Sequence, residues 1–267
     1  MAVGPFGRRR RDAGRAALVV LAGGSGSRVG AGLNKVYLPL AGRRVISWSF
    51  TWAAKVSEIG HFVLVVRPED EELARQTLRR ETPEVSVDLV IGGSSRHESE
   101  QAALDHLTAR IGNGEVDVVA IHDGARPLAG PALFRSVVST AGSVGGAVPA
   151  LPAESVLEVH PDGRPVHPGQ GAGPAQSAGQ LQGAGSGRDG LVRVQTPQAF
   201  RAKDLLAAYS AASDSGYQGT DTACSVEVFS DLVVQVVAGS RQNLKVTYPH
   251  DLFLAERLLA VNRYRMP

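Results

Sequence analysis

The chain has 267 residues, 43% of them apolar and 20% charged, with 31 glycines, 15 prolines and one cysteine. That apolar share excludes a wholly disordered chain, and no run approaches the ~18 apolar residues of a membrane-spanning helix. A lone Cys224 excludes an intramolecular disulfide and a multi-cysteine zinc site, which fits a reducing, cytoplasmic setting. Charge is uneven: residues 1–15 hold five arginines against Asp12, a local +4, while the rest carries 23 basic against 25 acidic groups, or −2. Residues 1–15 therefore read as a basic, disordered tail; as a nucleic-acid-binding arm they would be unusual. The remainder, 16–267, reads as the folded domain.

Four β-branched runs come early, at 18–21, 62–66, 87–91 and 116–121. Helical spacing falls between them, at 45–56 and 69–80, and another helix begins at 101–107. Strands alternating with helices predict βαβ units on a mostly parallel sheet, and near-continuous apolar runs suit strands buried on both faces. Later runs at 144–148, 191–194 and 232–237 extend the sheet, and Asp251 to Asn262 predicts a closing amphipathic helix. The fold class is a three-layer α/β domain. One stretch departs from it: His160 to Gly187 is glycine, proline, glutamine and alanine with almost no bulky residue. Such a segment cannot bury enough apolar surface to offset its ordering entropy. It predicts a mobile loop between strands at 155–159 and 191–194.

Five motifs sit near the ends of these runs. Leu21-Ala22-Gly23-Gly24-Ser25-Gly26-Ser27-Arg28 follows the first, with Lys35 beyond it. Small residues there let backbone N–H groups approach a polyphosphate, and Arg28 and Lys35 supply positive charge. Two familiar phosphate loops do not fit. Val29 stands where the dinucleotide fingerprint needs its third glycine, and Lys35 follows Asn34 where the Walker pattern needs glycine. The same residues serve equally well as a plain turn.

Gly92-Gly93-Ser94-Ser95-Arg96-His97-Glu98-Ser99 ends the third run; read alone, it is a capped helix start with Ser94 or Ser95 as N-cap. Asp123, in His122-Asp123-Gly124-Ala125-Arg126-Pro127, lies at the carboxyl end of a parallel strand, where such sheets bind ligands. It suits a Mg²⁺ ion beside phosphates and suits a turn as well. His122 reads as structural, since no second His or Cys lies at ligand spacing. Gln195-Thr196-Pro197-Gln198 reads as a polar turn, and Lys245, in Asn243-Leu244-Lys245-Val246-Thr247, is costly if buried without an anion.

Together, in this order and spacing from about Ala17 to Leu259, the motifs resemble the pyrimidine nucleotidylyltransferases that make CDP-activated sugar alcohols. The nearest groups are the 2-C-methyl-D-erythritol 4-phosphate and ribitol 5-phosphate cytidylyltransferases. The resemblance implies a Rossmann-like sheet with a protruding β-arm within about 152–193 and a homodimer. It implies transfer of CMP from CTP to a sugar-alcohol phosphate with Mg²⁺, in isoprenoid precursor synthesis if the acceptor is methylerythritol 4-phosphate. Ala22, Gly23, Gly24 and Gly26 would cradle the triphosphate, with Arg28, Lys35 and Lys245 on its charges. Gly92, Gly93 and Ser99 would read cytosine and ribose. Asp123, also the metal position, would lie with Arg126 and Thr196 beside the acceptor; Ser155 and Arg188 would reach into the partner's site.

Departures bear on the acceptor. The arm reads Glu154-Ser155-Val156-Leu157 without the usual lysine, and Glu158 is closer to the ribitol group. Thr220-Asp221-Thr222-Ala223 with Glu227 is closer to the methylerythritol group, and Asn34 replaces a usual proline. A non-catalytic nucleotide-binding relative is the reading of a different class. A nicotinamide-dependent oxidoreductase is disfavoured by the missing glycine.

Overall fold

The first apolar run forms β1, Ala16–Leu21, buried except at Leu21. Its side chains alternate between two cores, Leu18 and Val20 into one and Ala17 and Val19 into the other, as the two-residue period of a strand requires. On the first side pack α1 (Val45–Ala53), α2 (Glu71–Glu81), α4 (Gly130–Val144) and α7 (Pro249–Arg263). On the second side pack α3 (Arg96–Gly112), α5 (Ala202–Ser215) and α6 (Thr222–Phe229). This computed structural model describes residues 14–24, 34–152, 192–217, 219 and 221–263.

Between the helical layers runs an eight-stranded sheet. Its order is β10 (Val233–Ala238), β7 (Gly145–Pro152), β9 (Gln198–Arg201), β6 (Val118–Asp123), β1, β4 (Ile59–Val66) and β5 (Asp88–Ile91), with β8 (Val192–Val194) also paired to β7. The pairings are parallel except where β9 meets β6 and β7 and where β8 meets β7. A separate hairpin, β2 (Pro39–Leu40) and β3 (Arg43–Arg44), turns through Ala41 and Gly42 at φ +49° and +85°. Such left-handed values suit a two-residue hairpin loop and suit glycine best.

The expected three-layer α/β architecture is present, with shifted boundaries. The strand expected at 116–121 is Val118–Asp123, which puts Asp123 at the strand's last position and not in the turn after it. The strand expected at 62–66 starts at Ile59. Arg15, counted with the tail, pairs with Asp117 at 2.7 Å and donates to the Gly114 carbonyl at 2.8 Å. The strand expected at 155–159 and the 160–187 segment lie outside the described residues.

Topology places the site. From β1 the chain moves to β4 and β5 on one side, then returns to lay β6 on the other. The loops leaving β1 and β6 therefore diverge, and such a switch point opens a crevice at the carboxyl ends of the strands. Leu21 and Asp123 are register partners there. Ala22 N–H donates to the Val65 carbonyl at 2.8 Å, and Gly124 N–H to the Leu21 carbonyl at 3.0 Å, so both exits are pinned to the sheet.

Candidate active site

The glycine-rich loop leaves β1 through Ala22, Gly23 and Gly24, and its far end is tied back by Asn34. That buried amide donates from Nδ2 to the Ala22 carbonyl at 2.6 Å and to Asp70 Oδ2 at 3.0 Å. Asp70 is itself held by Arg67, from Nε at 2.9 Å and Nη2 at 2.8 Å. Lys35 opens a 3-10 turn, Lys35–Tyr37, directly after this clamp. Gly26 and Arg28 lie outside the described residues.

The second glycine pair borders the first. A Cβ on Gly23 would lie 3.7 Å from Ser99 Oγ, and one on Gly92 would lie 2.7 Å from that oxygen and 2.9 Å from Val65 Cγ1. Only glycine fits at 92 without pushing α3 away from the sheet. Ser95 caps α3, accepting from Glu98 N–H at 3.1 Å, so the helix-start reading of this motif holds. The same cap aims the first turn of α3 at the crevice.

At the end of β6 a cluster of charge converges on Asp123, which is 7% exposed. Arg96 Nη1 lies 2.5 Å from Oδ1; Lys245 Nζ lies 2.8 Å and Arg126 Nε 3.6 Å from Oδ2. Burial alone would raise this carboxyl, but Arg96 and Lys245 outweigh it and hold it well below the usual carboxylate range. Arg96 also faces a second carboxylate, Glu100, which is 1% exposed, with Nε 2.8 Å from Oε1. Counting these side chains, three cations meet two carboxylates, an excess suited to an anion.

The segment carrying Lys245 is stitched to the strand ends from behind. Arg126 Nη1 donates to the Asn243 carbonyl at 2.8 Å, and Asn243 Nδ2 donates to the Thr196 carbonyl at 2.9 Å. Gln195 Nε2 donates to the Ser240 carbonyl at 2.9 Å, and Val246 N–H to the Ala125 carbonyl at 2.8 Å. Thr196 Oγ1 accepts from Asp123 N–H at 3.0 Å and lies 3.3 Å from His122 Nδ1. Residues far apart in the chain thus arrive at one carboxylate with fixed backbones.

Of the residues expected at the site, the structure gathers Asp123, Arg126, Thr196 and Lys245 in one hydrogen-bonded unit. Gly23, Gly92 and Ser99 meet in the adjoining unit. Ser155 and Arg188 lie outside the described residues, as do Arg28 and Gly26. His122 is fully buried with both ring nitrogens engaged, and among the described residues no three His, Cys, Asp or Glu side chains cluster to hold a metal. Sequence reasoning missed Arg96, which stands inside the helix-start motif, and Glu100, which lies just beyond it. The signal that could have found them is their i, i+4 spacing on α3.

A doubly wound sheet whose switch point joins a glycine-rich loop to a cation-rich, carboxylate-centred cluster defines an α/β protein of the nucleotidyltransferase class. The family model described as 2-C-methyl-D-erythritol 4-phosphate cytidylyltransferase matches residues 16–167 and 174–261, and the chain belongs to that family. A cytidylyltransferase of that name from Cereibacter sphaeroides is 36% identical over 92% of this chain and 97% of its own. One from Synechococcus is 34% identical, over 91% and 96%. The 4-diphosphocytidyl-2C-methyl-D-erythritol synthase structure from Anaerococcus prevotii superposes with a TM-score of 0.74 at 26% identity, covering 93% of this chain and 97% of that one.

Proposed function

We propose that the protein transfers the cytidylyl group of CTP to 2-C-methyl-D-erythritol 4-phosphate, releasing pyrophosphate, in isoprenoid precursor synthesis by the non-mevalonate route. Family membership and the names of the relatives support this. In the structure, the observation that carries it is the convergence of Arg96, Arg126 and Lys245 on Asp123 beside the glycine loop.

The acceptor needs little activation, since a phosphate monoester has a second pKa of ~6 and is nucleophilic near neutrality. The site agrees: His122 is neutral and its ring nitrogens are engaged, so it is no general base. An acceptor phosphate oxygen attacks the α-phosphorus of CTP in line. The new P–O bond forms as the bond to the β-phosphate bridging oxygen breaks, and that electron pair leaves with pyrophosphate. The obstacle is repulsion between anions. Lys245, held by Asp123 yet 43% exposed, presents its ammonium to the reacting phosphates, with Lys35 on the nucleotide side and Arg28 assigned there by the resemblance alone. Arg126, fixed on the Asn243 carbonyl, and Thr196 orient the acceptor.

Mg²⁺ fits this site through Asp123. Such an ion keeps several waters and draws other ligands from phosphates, so one carboxylate suffices; Oδ1 faces Arg96 and Oδ2 faces Lys245 and Arg126, so the ion would share Oδ2 with Lys245. When bound, it neutralises phosphate charge as a Lewis acid. A homodimer in which Ser155 and Arg188 complete the partner's site belongs to the same proposal and rests on the resemblance. So does a cytoplasmic location, with which the absence of a membrane-crossing helix among the described residues is compatible.

Pyrophosphate release from CTP, measured with methylerythritol 4-phosphate and ribitol 5-phosphate side by side, tests the reading. Preference for the first and loss with EDTA are expected, and Lys35→Ala should lower kcat/KM by about two decades. Preference for ribitol 5-phosphate would move the protein to the other acceptor group. CTP binding without turnover of any acceptor would make it a binding relative.

A further inference from the structure

We propose that Glu100 is a positioning residue: its buried carboxylate holds Arg96, Arg96 holds Asp123, and the second helical layer thereby sets how Asp123 meets Lys245. The inference deepens the cytidylyltransferase reading and rests on it.

A charge buried as deeply as Glu100 is costly unless its lone pairs are met. Here they are met. Oε1 faces Arg96 Nε at 2.8 Å and accepts from Thr222 Oγ1 at 3.0 Å, while Oε2 accepts from the Tyr209 hydroxyl. The three partners come from α3, α6 and α5. Tyr209 is fully buried and stacks on His97 with centroids 4.7 Å apart, so its hydroxyl cannot swing away. At the other end Arg96 Nη1 donates to Asp123 Oδ1 at 2.5 Å; its buried Nε and Nη2 make no hydrogen bond among the described residues, so Glu100 holds the guanidinium as an ion partner and not through a hydrogen bond. The direction of the guanidinium is therefore set by two carboxylates, one in the crevice and one in the core.

Remove the inner carboxylate and two things change together. Arg96 loses its anchor and can turn toward a bound phosphate, and the cluster facing the substrate gains one net positive charge. Ground-state binding of CTP then holds or strengthens, while the Asp123–Lys245 geometry that serves the transition state is lost. Interactions made equally in both states change KM, whereas those specific to the transition state change kcat. The signature of a positioning residue here is a fall in kcat with no rise in KM. Mere damage to packing raises KM, lowers kcat and lowers the melting temperature together.

The experiment compares wild type, Glu100→Gln and Tyr209→Phe in steady-state assays with CTP and methylerythritol 4-phosphate, with melting temperatures recorded alongside. Glu100→Gln keeps the volume and an oxygen for Thr222 or Tyr209 but not the charge. It is expected to lose between about tenfold and about a hundredfold in kcat, the scale of an ångström-level misplacement, with KM for CTP at or below the wild-type value. Tyr209→Phe removes a single hydroxyl and should move both parameters in the same direction by less. Added to Glu100→Gln, Arg96→Met should lower kcat little further, because groups acting as a unit are not additive, while KM for CTP rises with the loss of the freed guanidinium. Glu100→Gln with kcat within about twofold of wild type overturns the proposal, as does a kcat loss matched by a KM rise. Should Glu100→Gln fail to fold, the same split in Tyr209→Phe decides. A silent wild type overturns the functional reading and this inference together. An active wild type beside unaffected variants overturns the inference alone.

Discussion

Both ring nitrogens of His122 are engaged, and their partners settle its tautomer. The Arg126 carbonyl, 3.2 Å from Nε2, can only accept, so Nε2 carries the proton. Nδ1 then accepts from the Thr196 hydroxyl, whose oxygen accepts from Asp123 N–H. Protonating Nδ1 would break that order beside the reacting groups. Burial pushes the His122 pKa down to about 4, against ~6.5 for a free imidazole. Between those values the unfolded chain binds the extra proton, so folding stability is full above about pH 6.5 and falls toward pH 4, by roughly 3 kcal/mol from this group. Asp123 has the same sign, since its pKa is also depressed, but its contribution stays intact until the pH drops below ~3.9, outside that window. His122→Gln, though less stable at pH 7, should therefore show a shallower loss between pH 6.5 and 4.5 in denaturant titrations. A slope equal to wild type would mean that the proton is taken up elsewhere.

At the scale of elements, the plainest strands to read were β1 and β4, because burial on both faces makes a parallel strand uniformly apolar. Helix α5 was not legible. Its buried stripe is Ala202, Leu205, Ala208, Tyr209 and Ala212, mostly alanines that carry little periodic signal beside other alanines and serines. Strand β9, four residues and antiparallel, is too short to separate from the polar turn before it. The site divides the same way. Glycines, Asp123 and Lys245 were readable by type and position, whereas the burial of Glu100 is explained by Tyr209 and Thr222, 109 and 122 residues away, together with Arg96 one turn before it. Asn34, visible in the sequence only as a replaced proline, is explained by its contacts with Ala22 and Asp70. It closes the base of the glycine loop and sets the start of the Lys35 turn. Asn34→Ala leaves the Ala22 carbonyl without its side-chain donor and should cost about 1–3 kcal/mol in stability. Since the clamp acts on the nucleotide loop and not on Asp123, KM for CTP should rise by more than kcat falls. Equal KM values for variant and wild type would show that the loop holds its shape without the clamp.

Across the whole molecule, charge and fold are organised separately. Two apolar cores on opposite faces of the sheet support the architecture, and the cations that matter are drawn from separate segments to one crevice at the strand ends. A net charge of +2 says nothing of this local excess, because four of the arginines in that count stand at positions 8–11. Removing Ala2–Ala13 takes away those four and Asp12, and shifts the net charge from +2 to −1. Arg15 stays, and with it the ion pair to Asp117 and the bond to the Gly114 carbonyl. If CTP is captured by the cations fixed in the crevice, the amino-terminal arginines are not needed for it, and 0.15 M salt screens exposed charges over about 8 Å. The truncated protein should then keep kcat and KM for CTP within about twofold of the full chain at that ionic strength, although its overall sign has reversed. A markedly higher KM that recovers as salt is varied would instead make the amino-terminal arginines part of nucleotide capture. An unchanged KM would assign capture to the cluster at Asp123 and the glycine loop.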